Sequence, residues 1–596
     1  MRIRYVAGSF LSSVLFLGAA SAGELTILHI NDHHSHLRAD SSMELILAGE
    51  KTRVRSGGFP AVVAAFDLLS QGTPNLLKLH AGDAITGDLY YTLFKGEADA
   101  ALMNEICFDA FALGNHEFDD GDTGLAHFLD FLNRGCDTAV LAANIVPEVG
   151  VSPLAQTSLT DYIQPYTVMS MEGMNIGIIG IDIADKTKNS SSPDASTQFL
   201  DEAETAQRYI DELTESGIDH IILLTHYQYK NDIALAAQLR GVDVIVGGDS
   251  HSLLGDFSDV GLEAEGPYPT RVTNADGDMV CIVQAWEYSQ IVGKLTVNFT
   301  DNGVVRACDG QPHMMLADSF KRKNTDGDYV ELAGDARDAV LNSVNDDPKL
   351  LLTREDEHAA AVLAQFSAQV DERKSVTIGT VAENLCLERI PGQGRSRLCN
   401  PSETAQQGSD ISNLVAHAFR DMARSSDIAI QNGGGVRVDV PAGDFTIVDA
   451  YTLLPFANTL VELDMTGGEI KNVLEEALDY TFQPEGSTGA YPYAAGLRWH
   501  IDASKPEGSR FSQIEFRGPD DKNWTPLDLN RRYKVVTNSY ISAGRDGYLS
   551  FGRISKEGRV TDTYLDYTKS FIDYVQKVGI LRRLDRAEYS TQSYKD

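Results

Sequence analysis

Five short apolar runs, each ending abruptly in a polar cluster, constrain this chain more than any other feature of its sequence. Leu25 to Ile30 runs into Asn31-Asp32-His33-His34, and Leu76 to Leu79 into His80-Ala81-Gly82-Asp83. Phe111 to Leu113 runs into Gly114-Asn115-His116-Glu117. Ile221 to Leu224 ends at Thr225-His226, and Val242 to Val246 at Gly247-Gly248-Asp249-Ser250-His251. Apolar runs of this length alternating with helical stretches read as a layered α/β fold. In open α/β sheets, ligands bind just beyond the carboxyl ends of the strands. A lone Asp after a strand is usually a helix cap, and a lone His a hydrogen-bonded loop residue. Five such endings in one chain point instead to convergence on a common centre. Imidazole and carboxylate suit zinc and manganese, and a carboxylate can bridge two ions. Such an ion pair clamps a phosphoryl group and activates water.

The motifs Asp32-x-His34, Gly82-Asp83-x-x-x-Gly87 and Gly114-Asn115-His116-Glu117 resemble those of the calcineurin-like dinuclear metallophosphoesterases, specifically the secreted 5'-nucleotidase family. The resemblance implies a four-layer α/β/β/α metallophosphoesterase domain over residues 23–340 and a linker helix over 341–375. A C-terminal α/β substrate-specificity domain over 376–596 would complete the chain. It implies two divalent metal ions, zinc or manganese. Asp32, His34, Asp83 and His251 would hold one, and Asp83, Asn115, His226 and Asp249 the other. His116 would be the catalytic histidine that binds no metal, oriented by Asp119. The last motif departs from the family's usual G-H-x-H: Asp249 stands where a histidine is common, a harder ligand that adds negative charge.

Thr353 to Ser375 reads as one helix, with Ala359, Val362, Leu363, Phe366 and Val370 at near-helical spacing and an acidic opening. Beyond it, Asn432-Gly433-Gly434-Gly435-Val436-Arg437 combines exposed backbone N–H groups with an anion-binding fork. Tyr540 stands six residues before Asp546 in a Gly-containing loop, an arrangement able to stack a base and hold ribose hydroxyls. By resemblance, Asn432 and Arg437 contact phosphate or nucleoside, Phe456 and Tyr540 clasp the base, and Asp546 accepts from ribose. A further phosphate arginine is expected at Arg395 or Arg397. The Ala543-Gly544-Arg545-Asp546-Gly547-Tyr548 segment and the Cys386 to Cys399 loop are similar to those of NAD nucleotidases.

The balance of 50 basic against 86 acidic residues, net −36, opposes nucleic-acid binding, so an anionic ligand must be held by local arginines or metals. Residues 1–22 carry a basic start, an apolar run and Ala20-Ser21-Ala22, and read as a secretory signal peptide. No later run is long enough for a membrane span. The expected location is periplasmic or secreted. Six cysteines in an oxidising compartment read as disulfides, in sequence order Cys107–Cys136, Cys281–Cys308 and Cys386–Cys399. The expected activity is phosphate release from nucleoside 5'-monophosphates, with NAD and UDP-sugars as further substrates. Two alternatives stand beside it: a 2',3'-cyclic-nucleotide phosphodiesterase of the same superfamily, and an exported protein that binds nucleosides or a partner without catalysis.

Overall fold

The computed structural model describes residues 23–595 except Ser42, Glu172, Asp301, Asn302, Asp326, Lys374, Ala457, Pro484 and Glu485. Residues 1–22, expected to be a signal peptide, therefore lie outside the described residues.

Two sheets lie face to face in the N-terminal half. In the first, the parallel strands Glu24–Ile30, Leu76–His80, Ala110–Ala112 and Ala139–Leu141 sit side by side, extended by antiparallel Ile291–Phe299 and Val305–Lys323. In the second, Met174–Asp182, His220–His226, Val244–Val246 and Met279–Val283 run parallel. These strands are buried on both faces, which is why they read as continuous apolar runs. Alternate residues divide between layers. Leu25, Ile27, Leu77 and Leu79 meet Ile176, Ile178, Ile222 and Leu224 between the sheets. Leu28, Ile30 and Phe111 face outward onto helices Phe59–Ser70, Glu97–Ile106 and Gly121–Leu132. Ile179, Ile181, Ile221 and Leu223 face helices Glu202–Glu215 and Tyr229–Gln238 on the other side. The order is helix, sheet, sheet, helix.

The helix Glu357–Arg373 buries Ala359, Leu363 and Val370 in a core that is continuous from the first sheet's outer helices into the C-terminal half. Just before it, Leu350–Leu352 pairs with Val305–Lys323, so the first sheet reaches residue 352. The C-terminal half is built on a sheet ordered Pro492–Ala495, Ile428–Asn432, Arg532–Asn538, Thr459–Thr466 and Val560–Asp566. Helices Asp410–Met422 and Tyr567–Val578 cover one face, and Gly467–Phe482 and Leu549–Lys556 the other.

All six cysteines are paired as expected, Cys107–Cys136, Cys281–Cys308 and Cys386–Cys399. No helix among the described residues is long and apolar enough to cross a membrane.

The inter-sheet layer holds the two sets of strand ends at one height. Leu224→Ala removes a fully buried side chain there. It is expected to lower stability by about 2–5 kcal/mol, read from urea unfolding. A loss below about 0.5 kcal/mol would mean the sheets do not close at that point.

Candidate active site

The carboxyl ends of strands from both sheets deliver their polar clusters to one buried place. Asp32, His34, Asp83, Asn115, His116, His226 and Asp249 are almost wholly inaccessible, and His251 is 9% exposed. His226 Nε2 lies 2.9 Å from Asp83 Oδ2, 3.5 Å from Asp249 Oδ1 and 3.8 Å from Asp32 Oδ1. His34 Nε2 lies 3.6 Å from Asp83 Oδ2, and His251 Nε2 lies 3.3 Å from Asp32 Oδ1. Asp83 thus faces both His34 and His226, the position a bridging carboxylate needs.

The surrounding hydrogen bonds aim these atoms. His226 Nδ1 is 2.8 Å from the Ala81 carbonyl, His34 Nδ1 3.2 Å from that of Thr86, and His251 Nδ1 2.6 Å from the Glu287 carboxylate. Each partner accepts, so each Nδ1 carries a proton and Nε2 is the ring atom left to face inward. The Nε2 atoms of His34 and His251 then lie 3.1 Å apart at the centre of the set. Asp83 Oδ2, Asn115 Oδ1, His226 Nε2 and Asp249 Oδ2 are buried without a hydrogen-bond partner. Buried polar atoms are rarely left this way. The donor set fits divalent cations: ligand atoms of Asp32, His34 and His251, and of Asp32, Asp83 and His226, lie within 4.8 Å of one another, and His116 joins His34 and Asp83 at the same range.

The loops that carry these groups are held against their own preferences. Asp32, His34, Asp83, Asp249 and His251 all have left-handed backbones, φ 48° to 72°. For residues with a Cβ this costs on the order of 1–3 kcal/mol each. Glu117 opposes that strain. Its buried carboxylate accepts the N–H groups of Asp83 (2.9 Å), Ala84 (2.8 Å) and Gly114 (2.7 Å). Burial and the nearby Asp83 push its carboxyl up to about 7. A Cβ on Gly114 would collide with the Asp83 carboxylate, so only glycine fits there. For Asp83 itself, burial favours the neutral acid. His226, His116 and His34 outweigh it and hold the group well below the usual carboxylate range.

His116 stands beside this set. Its Nδ1 is 2.6 Å from Asp119 Oδ2, its backbone N–H donates to Asp83 Oδ1 at 2.9 Å, and its buried Nε2 has no partner. It is the free imidazole edge of the site.

A second recess, about 300 Å³, opens in the C-terminal half. Asn432, Arg437, Phe456, Tyr540 and Asp546 line it together with Arg389, Asn458, Ser487 and three glycines. Phe456 and Tyr540 expose 42% and 44% of their surface, unusual for aromatic rings with no other role. Asp546 accepts from Asn432 Nδ2 at 3.0 Å and from the Tyr540 hydroxyl at 3.1 Å. Arg437 lies 5.3 Å from the Phe456 ring centroid. Asn458 lines both this recess and the narrow space beside His34, so the two sites adjoin.

Arg395 and Arg397, expected at the phosphate, do not line this recess; Arg389 does. The reason is local. Glu388 accepts the backbone N–H of Arg395 at 2.9 Å, and Asp439 that of Arg397 at 2.7 Å. These bonds pin the long loop, and both side chains stay exposed.

The chain matches two family models: calcineurin-like phosphoesterase over residues 25–253 and 5'-nucleotidase C-terminal domain over 378–553. It is 38% identical over 565 residues to NAD 5'-nucleotidase of Haemophilus influenzae, spanning 94% of this chain and 91% of that one. The chain belongs to the 5'-nucleotidase family. It is accordingly a nucleotide phosphohydrolase, of a metal-dependent class. Another family member, the probable 5'-nucleotidase of Treponema pallidum, is 38% identical over 93% of this chain and 92% of its own. The Haemophilus influenzae NAD nucleotidase structure superposes with TM-score 0.87 at 36% identity, covering 96% of this chain and 99% of that one. For the 5'-nucleotidase precursor of Thermus thermophilus the TM-score is 0.55 at 33% identity, with coverage of 96% and 99%.

Several residues at this family site gave no sequence signal strong enough to single out. Lys186 and Glu287 follow the strands Met174–Asp182 and Met279–Val283, so they too sit beyond strand ends. Neither ends its run directly. Tyr564 comes from the far side of the chain: its ring stacks on His251, centroids 4.0 Å apart and 14° from parallel.

Glu117→Ala would strand the buried N–H groups of Asp83, Ala84 and Gly114. It is expected to lower stability by about 3–5 kcal/mol and to lose most divalent-cation binding in calorimetry. Unchanged binding would show that the loop keeps its shape without the carboxylate.

Proposed function

We propose that this chain is an exported hydrolase that releases phosphate from nucleoside 5'-monophosphates and also cleaves the pyrophosphate of NAD. The observation that carries this reading is the adjacency of two built sites. One is a buried set of carboxylates and imidazoles with orphaned inward atoms; the other is a recess with two exposed aromatic rings, arginines and an aspartate. Support for NAD comes from the relatives named for that substrate. The three disulfides support export.

In this reading Asp32, His34, Asp83 and His251 hold one divalent cation and Asp83, Asn115, His226 and Asp249 a second, zinc or manganese by donor type. When bound, such a pair supplies Lewis-acid polarisation of the phosphoryl oxygens and an activated water. The remaining work falls to side chains. The Asp119 carboxylate accepts a hydrogen bond from Nδ1–H of His116 and fixes the ring, leaving Nε2 to meet the phosphoryl or leaving-group oxygen. Phe456 and Tyr540 clasp the base, a contact worth about 1–3 kcal/mol per base in other nucleotide binders. Asp546 accepts from the ribose hydroxyls, and Asn432, Arg437 and Arg389 meet the phosphate end.

The test is phosphate release from AMP, NAD, UDP-glucose and a 2',3'-cyclic nucleotide, with and without chelator. Turnover of AMP and NAD should vanish on chelation and return with Mn²⁺ or Zn²⁺. His116→Ala should lower kcat by about 10²–10⁴ with little change in melting temperature. Full turnover in chelated protein, or in His116→Ala, would refute the mechanism. Exclusive turnover of the cyclic ester would refute the substrate assignment.

A further inference from the structure

Lys186 is the one basic residue whose ammonium reaches a candidate ligand carboxylate among the ion pairs of the described residues. It stands on the short helix Ala184–Ser190, immediately after the strand Met174–Asp182. That strand lies parallel to His220–His226, with Asp182 opposite His226. The topology thus brings Lys186 to the same sheet edge as the ligand set. Its side chain is only 4% exposed. The ammonium contacts Asp249 Oδ1 and lies 4.1 Å from the centroid of the Tyr564 ring.

A buried lysine is rare unless paired, and this one takes only half of its partner. Asp249 Oδ2 is buried with no hydrogen-bond partner. The group is a carboxylate with one oxygen committed and one free. A neutral imidazole at this position would offer a cation the same coordination. The aspartate adds a third buried negative charge to those of Asp32 and Asp83, in a site that must accept an anionic phosphoryl group.

We infer that Lys186 is a positioning residue that balances Asp249: it occupies Oδ1, leaves Oδ2 for a divalent cation, and restores the positive charge that the aspartate subtracts from the phosphate-binding site. This rests on the proposed reading of Asp249 and its neighbours as a cation site. The Tyr564 face holds the ammonium in place from the other half of the chain, a cation–π contact on a side chain that is itself buried.

The inference separates two affinities that a merely structural lysine would move together. Lys186→Met keeps the side-chain length and removes the charge. Mn²⁺ binding, titrated by calorimetry into metal-stripped protein, should become about tenfold tighter, because a neighbouring cation is gone. Inorganic phosphate, titrated into the Mn²⁺-loaded protein, should bind about tenfold more weakly, because the site has lost one positive charge. Asp249→His combined with Lys186→Met removes both charges and should return phosphate affinity to within about threefold of the original chain. If Lys186→Met weakens both ligands, or leaves phosphate affinity unchanged, the inference is overturned. Should that variant not fold, the double variant decides. Near-original phosphate affinity supports charge balance; loss of phosphate binding in a folded, Mn²⁺-loaded double variant overturns it. Absence of Mn²⁺ binding by the original chain would overturn the cation reading itself and this inference with it. Failure of the opposite shifts alone leaves that reading intact.

Discussion

A crowded set of buried carboxylates and imidazoles is the constraint around which this structure is arranged. Asp32, Asp83 and Asp249 lie in the interior with the Nε2 atoms of His34, His226 and His251 turned toward them. Uncompensated carboxylates in such a place are expensive. Positive charge among them lowers that cost. Lys186 answers for one oxygen of Asp249. The orphaned Asp83 Oδ2, Asn115 Oδ1 and Asp249 Oδ2 define what remains to be answered. In the proposed reading, the same unsatisfied field that burdens the fold gives the site its grip on cations and phosphate.

Holding such a set together requires stiffness elsewhere. Two parallel sheets pack through an apolar layer, so the loops leaving them share a common base. Left-handed residues then turn Asp32, His34, Asp83, Asp249 and His251 into the gap. The Glu117 carboxylate ties two of the loops together through backbone N–H groups. The Glu in the Gly114 to Glu117 motif is therefore a brace: it fixes the loop from which Asp83 reaches inward.

In the proposed reading, the two halves of the chain divide recognition from chemistry. The C-terminal recess offers rings, arginines and a carboxylate, while the N-terminal centre offers metal donors and His116. They meet at Asn458, which borders both, and at Tyr564, which lies flat against His251. Residues more than 300 positions apart in sequence thus form one wall, and no local pattern announces that contact.

Strand runs and their polar endings were legible in the sequence because periodicity and residue chemistry are local properties. So were the disulfide pairs, which join neighbours in the order of cysteines, and the exposed rings Phe456 and Tyr540, which stand in short motifs. The arginine of the recess was not legible. Whether Arg389, Arg395 or Arg397 faces it depends on Glu388 and Asp439 capturing the loop backbone, a choice made by hydrogen bonds across the fold. Lys186 was invisible for the same reason: a lysine on a short helix acquires meaning only when another strand brings Asp249 against it. Residue types and their spacing prescribed which donors this chain possesses. Which of them share a proton, a charge or a cation was settled by packing, since electrostatic interaction depends on distance through space and not on position along the chain.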